Sequence, residues 1–132
     1  MTISKLLISA AALAFLAAPA FAAESTSSAL KTMTIDGQNV ITDASGMTLY
    51  TFDKDTAGVS NCYDKCAKSW PPAYAPAGTT GSGDFSIVKR KDDGDLQWAY
   101  KGMPLYLWAK DKKPGDTTGD GVGNVWHTAV EK

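Results

Sequence analysis

Gly46-Met47-Thr48-Leu49-Tyr50-Thr51-Phe52-Asp53-Lys54-Asp55 returns later in the chain as Gly102-Met103-Pro104-Leu105-Tyr106-Leu107-Trp108-Ala109-Lys110-Asp111. The two stretches align without a gap at an offset of 56 residues (Gly46 to Gly102), and Trp70 meets Trp126 at the same offset. Two copies at such a period predict one unit used twice about a pseudo-twofold axis, not a long solenoid. Strand parity gives each copy two faces. Met47, Leu49 and Thr51 share one, and Thr48, Tyr50 and Phe52 the other; in the second copy the faces are Met103, Leu105, Leu107 and Pro104, Tyr106, Trp108. Both faces are largely apolar, so these strands are expected to be covered on both sides.

Around each copy the pattern is β. Thr32 to Ile35 leads into Asp36-Gly37 and returns through Val40 to Thr42; Ala44-Ser45-Gly46 turns again into Met47 to Phe52. Asp-Gly between β-rich segments is a hairpin signal, because both central residues of a type I′ turn need positive φ. The second unit repeats the plan: Phe85 to Arg90, Asp93-Gly94, Leu96 to Tyr100, Lys101-Gly102, then Leu105 to Trp108. Its Asp-Gly turn is displaced by 57 residues (Asp36 to Asp93), a slip of one in the second strand. Asn61 is expected to cap a short helix around Cys62 to Lys68, with Pro71 ending it. Tyr74 to Gly83 reads as a linker, Lys112 to Gly121 as a turn-rich loop, and Asn124 to Val130 as a last strand. The expected fold is all-β: two pseudo-repeated three-stranded antiparallel units, about 30–76 and 84–130, packed as a small sandwich with one short helix near the cysteines.

The chain start is read as an export signal. Lys5 is followed by an apolar run, Leu6 to Leu16, and by Ala20-Phe21-Ala22, a small-x-small cleavage pattern. Residues 1–22 are therefore expected to be a cleaved signal peptide, cut after Ala22, with 23–29 a flexible leader and 30–132 a single domain. No later segment could span a bilayer. The expected location is periplasmic or secreted. Losing Lys5 moves the formal net charge from −1 to −2, which offers nothing to nucleic acid or an anionic membrane.

Catalysis is poorly supplied. After residue 22 the only glutamates are Glu24 and Glu131, and no serine stands in a Gly-x-Ser-x-Gly elbow. Cys62 and Cys66, four apart in an oxidising compartment, are read first as a disulfide. The alternative is a soft-metal site, copper above all, made of Cys62, Cys66 and His127. That spacing is similar to the Cys-x-x-x-Cys plus His of Sco-type copper chaperones, whose thioredoxin-like βαβ pattern is not seen here. His127 alternates with Val125 and Ala129, which suggests an interior or edge histidine. Asp116 to Gly123 departs from the EF-hand order and reads as an Asp/Gly turn. Lys89-Arg90-Lys91 beside Asp92-Asp93 reads as a solvated strand end.

Tyr50-x-Phe52-x-x-Asp55 and Tyr106-x-Trp108-x-x-Asp111, with Trp70 and Trp126 in their flanks, together form a recognisable pattern. It resembles a bacterial secreted-repeat family of unknown function, predicted lipoproteins with a Tyr-x-(Phe/Trp/Tyr)-x-x-Asp motif. The resemblance runs roughly from Val40 to His127 and implies export and a repeat domain, without implying an activity. The chain lacks the lipobox cysteine of many members. The function expected is that of an exported, non-catalytic β-domain that binds an unknown protein or small ligand, with no resident cofactor. A periplasmic copper or thiol-redox accessory role is the alternative.

Overall fold

A computed structural model describes residues 30–132. The readings of 1–22 as a signal and 23–29 as a leader lie outside the described residues. Among the described residues no helix is long and apolar enough to cross a membrane.

The two hairpins form where the turn chemistry requires. Strands β1 (Leu30–Ile35) and β2 (Gln38–Asp43) pair antiparallel, with Ile35 opposite Gln38. Asp36 and Gly37 between them have φ of 50° and 79°, the conformation of a type I′ turn. The third strand, β3, is assigned over Tyr50–Phe52 only, with a further bridge from Thr42 to Thr48. A short helix, α1, spans Lys65–Ser69 and stops before Pro71. It begins later than the sequence suggested and its N-cap, Asp64, makes no side-chain capping bond. Asn61 is no cap: its amide donates to the Lys54 carbonyl, and its N–H to Asp55. After β4 (Tyr74–Ala75), the second hairpin is β5 (Phe85–Lys89) with β6 (Leu96–Tyr100), followed by β7 (Met103–Pro104). A 3-10 turn at Val122–Asn124 leads into β8 (Trp126–Thr128). The fold is all-β with two repeats and one short helix, as the sequence indicated.

The strand exchange between repeats was not legible beforehand. The last strand of each unit leaves its own hairpin and joins the other's. β8 pairs with β3, Thr51 opposite His127, and β4 pairs with β6. In the first half three backbone bonds close a ring: Ile41 N–H to the Ala129 carbonyl (2.9 Å), Ala129 N–H to Leu49 (2.8 Å) and Leu49 N–H to Ile41 (2.9 Å). The second half makes the same ring with Trp98, Ala73 and Leu105, each bond 2.9 Å long. Between the rings Tyr50 and Tyr106 exchange both backbone bonds, at 2.8 and 2.9 Å. That reciprocal pair marks the local twofold axis.

Parity then builds two cores, one on each face of the central strands. Leu49 and Leu105, both fully buried, point into a cluster with Ile41, Ala73, Ala75, Trp98, Tyr100 and Ala129. Tyr50 and Tyr106, also fully buried, point the other way, into a cluster with Phe52, Cys62, Trp70 and Trp126. The expectation that these strands are covered on both sides holds.

Candidate functional site

The aromatic core is built by the motif itself. Phe52 stacks on Trp126 (4.2 Å between ring centroids), Trp126 on Trp70 (3.8 Å) and Trp70 on Trp108 (3.9 Å). Read from either end, the stack alternates first and second repeat, and the Trp70–Trp126 contact lies across the axis. Tyr50 meets Trp70 edge-on at 5.4 Å, and Tyr106 meets Trp126 edge-on at 5.2 Å. Edge-to-face contacts of this kind add about 0.5–1.5 kcal/mol each beyond area burial.

The motif's carboxylates are used across the same axis. Tyr50 Oη donates to Asp111 Oδ2 at 2.7 Å, and Tyr106 Oη donates to Asp55 Oδ2 at 2.7 Å. Each tyrosine is thus held by the aspartate of the other repeat. The second oxygen of each carboxylate ties down the loop that follows. Asp55 Oδ1 accepts the Asn61 N–H (2.6 Å), and Asp111 Oδ1 accepts the Thr118 N–H (3.0 Å) and hydroxyl (2.5 Å). Burial, with the neighbouring carboxylate adding to it, pushes both phenols well above their ordinary value of 10.0. Burial also raises the Asp55 carboxyl, against the opposing pull of its bonds from Tyr106 and Asn61.

One corner of the site was misread in the sequence. Arg90 is not a solvated strand end: it is 2% exposed. Its Nη1 donates to Gln97 Oε1 (2.7 Å) and Ser60 Oγ (3.1 Å), and its Nη2 to the Cys62 carbonyl (2.7 Å). Its Nε has no hydrogen bond and lies 3.7 Å from Asp92 Oδ1, while the guanidinium covers the Tyr63 ring at 4.4 Å. Ser60 Oγ lies 2.5 Å from Tyr106 Oη, so a polar chain runs from Arg90 to the tyrosine on the axis. The signal was present: in a strand with Val88 inward, Arg90 two residues on shares its face. Gly119 was missed as well. Its N–H reaches Tyr50 Oη at 3.2 Å, and a Cβ there would come within 2.9 Å of Trp70 and 3.0 Å of Trp108.

Cys62 and Cys66 are joined as a disulfide, with Cα atoms 5.2 Å apart. Cys62 is buried against the aromatic core, and Cys66 on α1 is half-buried. Of the two positions expected for His127, interior or edge, the structure has the edge: it is exposed on β8 of the two-stranded β3–β8 sheet, and its Nε2 lies 2.8 Å from Asp53 Oδ2. Among the described residues no three His, Cys, Asp or Glu side chains converge as metal ligands, so Cys62, Cys66 and His127 are not brought together as a ligand set. The loop after Asp111 is an Asp turn: Asp116 Oδ2 accepts the N–H groups of Lys112 (2.8 Å) and Lys113 (3.1 Å), and these bonds lower its carboxyl.

A family model described as a secreted repeat of unknown function matches residues 31–74 and again 86–130. The chain belongs to that family. The two matched segments of this secreted-repeat protein are the two sequence repeats related by the Tyr50–Tyr106 axis, each lending its last strand to the other. No curated protein and no solved structure matches the chain significantly.

Proposed function

We propose that this secreted-repeat protein is an exported, non-catalytic domain that acts by binding a protein partner or small ligand in the periplasm or outside the cell, after cleavage following Ala22. The observation that carries this reading is the use made of the motif. Tyr50, Tyr106, Asp55 and Asp111 are each 8% exposed or less and are bonded to one another across the repeat axis. These four motif groups are therefore spent in holding the halves together, and a catalytic constellation needs reactive groups that face a cleft. The test is thermal unfolding of the mature protein against separated envelope fractions, meaning a lipid extract, wall fragments and soluble periplasmic proteins. A ligand that binds only the folded state raises Tm with its concentration. The reading expects saturable stabilisation by one fraction. Turnover of an ester, phosphate, glycoside or peptide substrate that disappears in a folded Asp55→Asn variant would replace it with an enzymatic one.

The disulfide favours a second reading, a thiol-redox or copper accessory role that uses the thiols of Cys62 and Cys66 without His127. Cys66 is half-buried where Cys62 is fully buried, and reduction would release two thiols on one short segment. A Cu(I) competition assay on reduced protein tests it, and failure of the Cys62→Ser/Cys66→Ser variant to differ from the parent would end it.

A further inference from the structure

We infer that the open end of the leucine core is a binding site for a small amphiphile of zero net charge; this deepens the binding reading above and rests on it. The first residues of the two outer strands, Leu30 of β1 and Phe85 of β5, face the same cleft, with Trp98 of β6 as its floor. Leu30 and Phe85 hold equivalent ladder positions, opposite Asp43 and Tyr100, so corresponding ends of the two hairpins line the cleft. Its volume is about 540 Å³, within the range of small-molecule sites.

The chemistry of the walls selects the ligand. Trp98 belongs to the leucine core, and Leu30 and Phe85 pack against it while remaining half-exposed. Apolar surface that continues a core and still meets water is the part a ring or short acyl chain would cover. The linker supplies the rim, with hydroxyls at Thr79, Thr80 and Ser82. Lys31 and Glu131 stand there too, both exposed and neither in an ion pair among the described residues. A single cation and a single anion leave the rim neutral. A carboxylate or an amine would meet a like charge along with its partner, whereas an uncharged or zwitterionic head with hydrogen-bonding groups meets no such penalty. Residues 23–29 carry no large apolar side chain with which to fill such a floor.

The experiment uses the mature chain and the uncharged fluorophore N-phenyl-1-naphthylamine. Saturable fluorescence enhancement is expected, reversed by octyl glucoside below its micelle concentration more readily than by octanoate or octylamine, by about fivefold, the ratio for roughly 1 kcal/mol of like-charge contact. Thr80→Trp, at an exposed linker position, fills the cleft and lowers probe affinity tenfold or more with Tm unchanged. Lys31→Glu shifts the preference toward octylamine, and Glu131→Lys shifts it toward octanoate. Absence of saturable enhancement, or a Thr80→Trp protein that binds the probe as the parent does, overturns the site. Stabilisation by an envelope fraction that Thr80→Trp leaves intact would sink the cleft while sparing the binding reading; enzymatic turnover would sink the binding reading itself.

Discussion

The two ends of the tyrosine crossing make the same bond and support it differently. At the Tyr106 end, Asp55 and the phenol are backed by side chains: Ser60, Arg90 and Gln97, with the disulfide loop closing over them. At the Tyr50 end, Asp111 is backed by Thr118 and the phenol by the backbone N–H of Gly119, in a loop that has no cysteine. By ladder register, Arg90 opposite Asp95 stands where the first half has Ile35 opposite Gln38, and Gln97 stands where it has Val40. What crosses the axis is therefore kept in both halves, and what supports it from one side has diverged. The crossing is constrained because each ring and carboxylate must fit its counterpart in the other repeat. The supports need only present hydrogen-bonding groups at the right place.

The sharpest test of that equivalence is at its centre. Trp70 and Trp126 each stack on the other, on one further ring, and meet one tyrosine edge-on. Trp70→Ala and Trp126→Ala should each destabilise the protein by about 3–5 kcal/mol, the usual cost of removing a buried aromatic, and by nearly equal amounts. Urea unfolding followed by far-ultraviolet circular dichroism measures both. A loss confined to one of them would break the comparison.

Next in size are the phenols. Tyr50→Phe and Tyr106→Phe each remove a hydrogen bond to a buried carboxylate, a change of about 1.5–3 kcal/mol. They also carry a pH signature. Each phenol's pKa is raised in the folded protein, so above the ordinary value of 10.0 the unfolded chain loses a proton that the folded chain retains. Stability is then unaffected below that pH and falls as pH rises past it, by about 1.4 kcal/mol per pH unit for each tyrosine. Each single Phe variant should lose half of that alkaline slope. Asp55 acts at the other end of the scale with the same sign: its carboxyl is raised by burial, so stability falls as pH climbs through the window just above 3.8. Equal slopes in the parent and both variants would show that the tyrosines are not sealed by the crossing.

The disulfide distinguishes the two ends. It spans a four-residue separation, and closing so short a loop restricts the unfolded chain by about 2 kcal/mol on the loop-entropy estimate. Reduction should lower stability by about that much while leaving the Tyr50–Asp111 bond in place. Hydrogen exchange should therefore show loosening around Asn61 to Trp70 before any around Thr117 to Gly119. Simultaneous loss of protection at both ends would mean that the two supports act as one.

Period and parity carried most of the fold because they are local and repeated. The Asp36-Gly37 turn, the equal burial of Leu49 and Leu105, and the opposed tyrosines follow from spacing alone. The exchange of last strands did not, because β4 and β8 are short and their partners lie far away in sequence. Propensity does not encode which hairpin a two- or three-residue strand will join. Arg90 was misread for another reason, although its parity with Val88 pointed inward. Its charge and its neighbours Lys89 and Lys91 suggest solvent, and a serine and a carbonyl from the loop at 60–62, with a glutamine from β6, make its burial tolerable. The cleft was equally silent, since Leu30, Trp98 and the linker hydroxyls meet only after the hairpins are placed.

The smallest effect is expected at an asymmetry on the outer surface. His127 and Asp53 face each other across the β3–β8 pair, about half-exposed at 47% and 53%. The equivalent positions in the other half are Pro71 and Ala109, which carry no charge, yet the backbone there makes the same bond, Leu107 N–H to the Pro71 carbonyl at 2.7 Å. The repeat therefore closes without the His127–Asp53 contact. Exposed pairs of this kind contribute about 0–1 kcal/mol, so His127→Ala and Asp53→Ala should each stay within that range, and the double variant should differ little from the sum of the two. Denaturant melts at low and high salt make the measurement. A loss well above it, insensitive to salt, would mean that His127 works against something other than Asp53, and the outer surface of β8 would then have a role that its counterpart at Pro71 lacks.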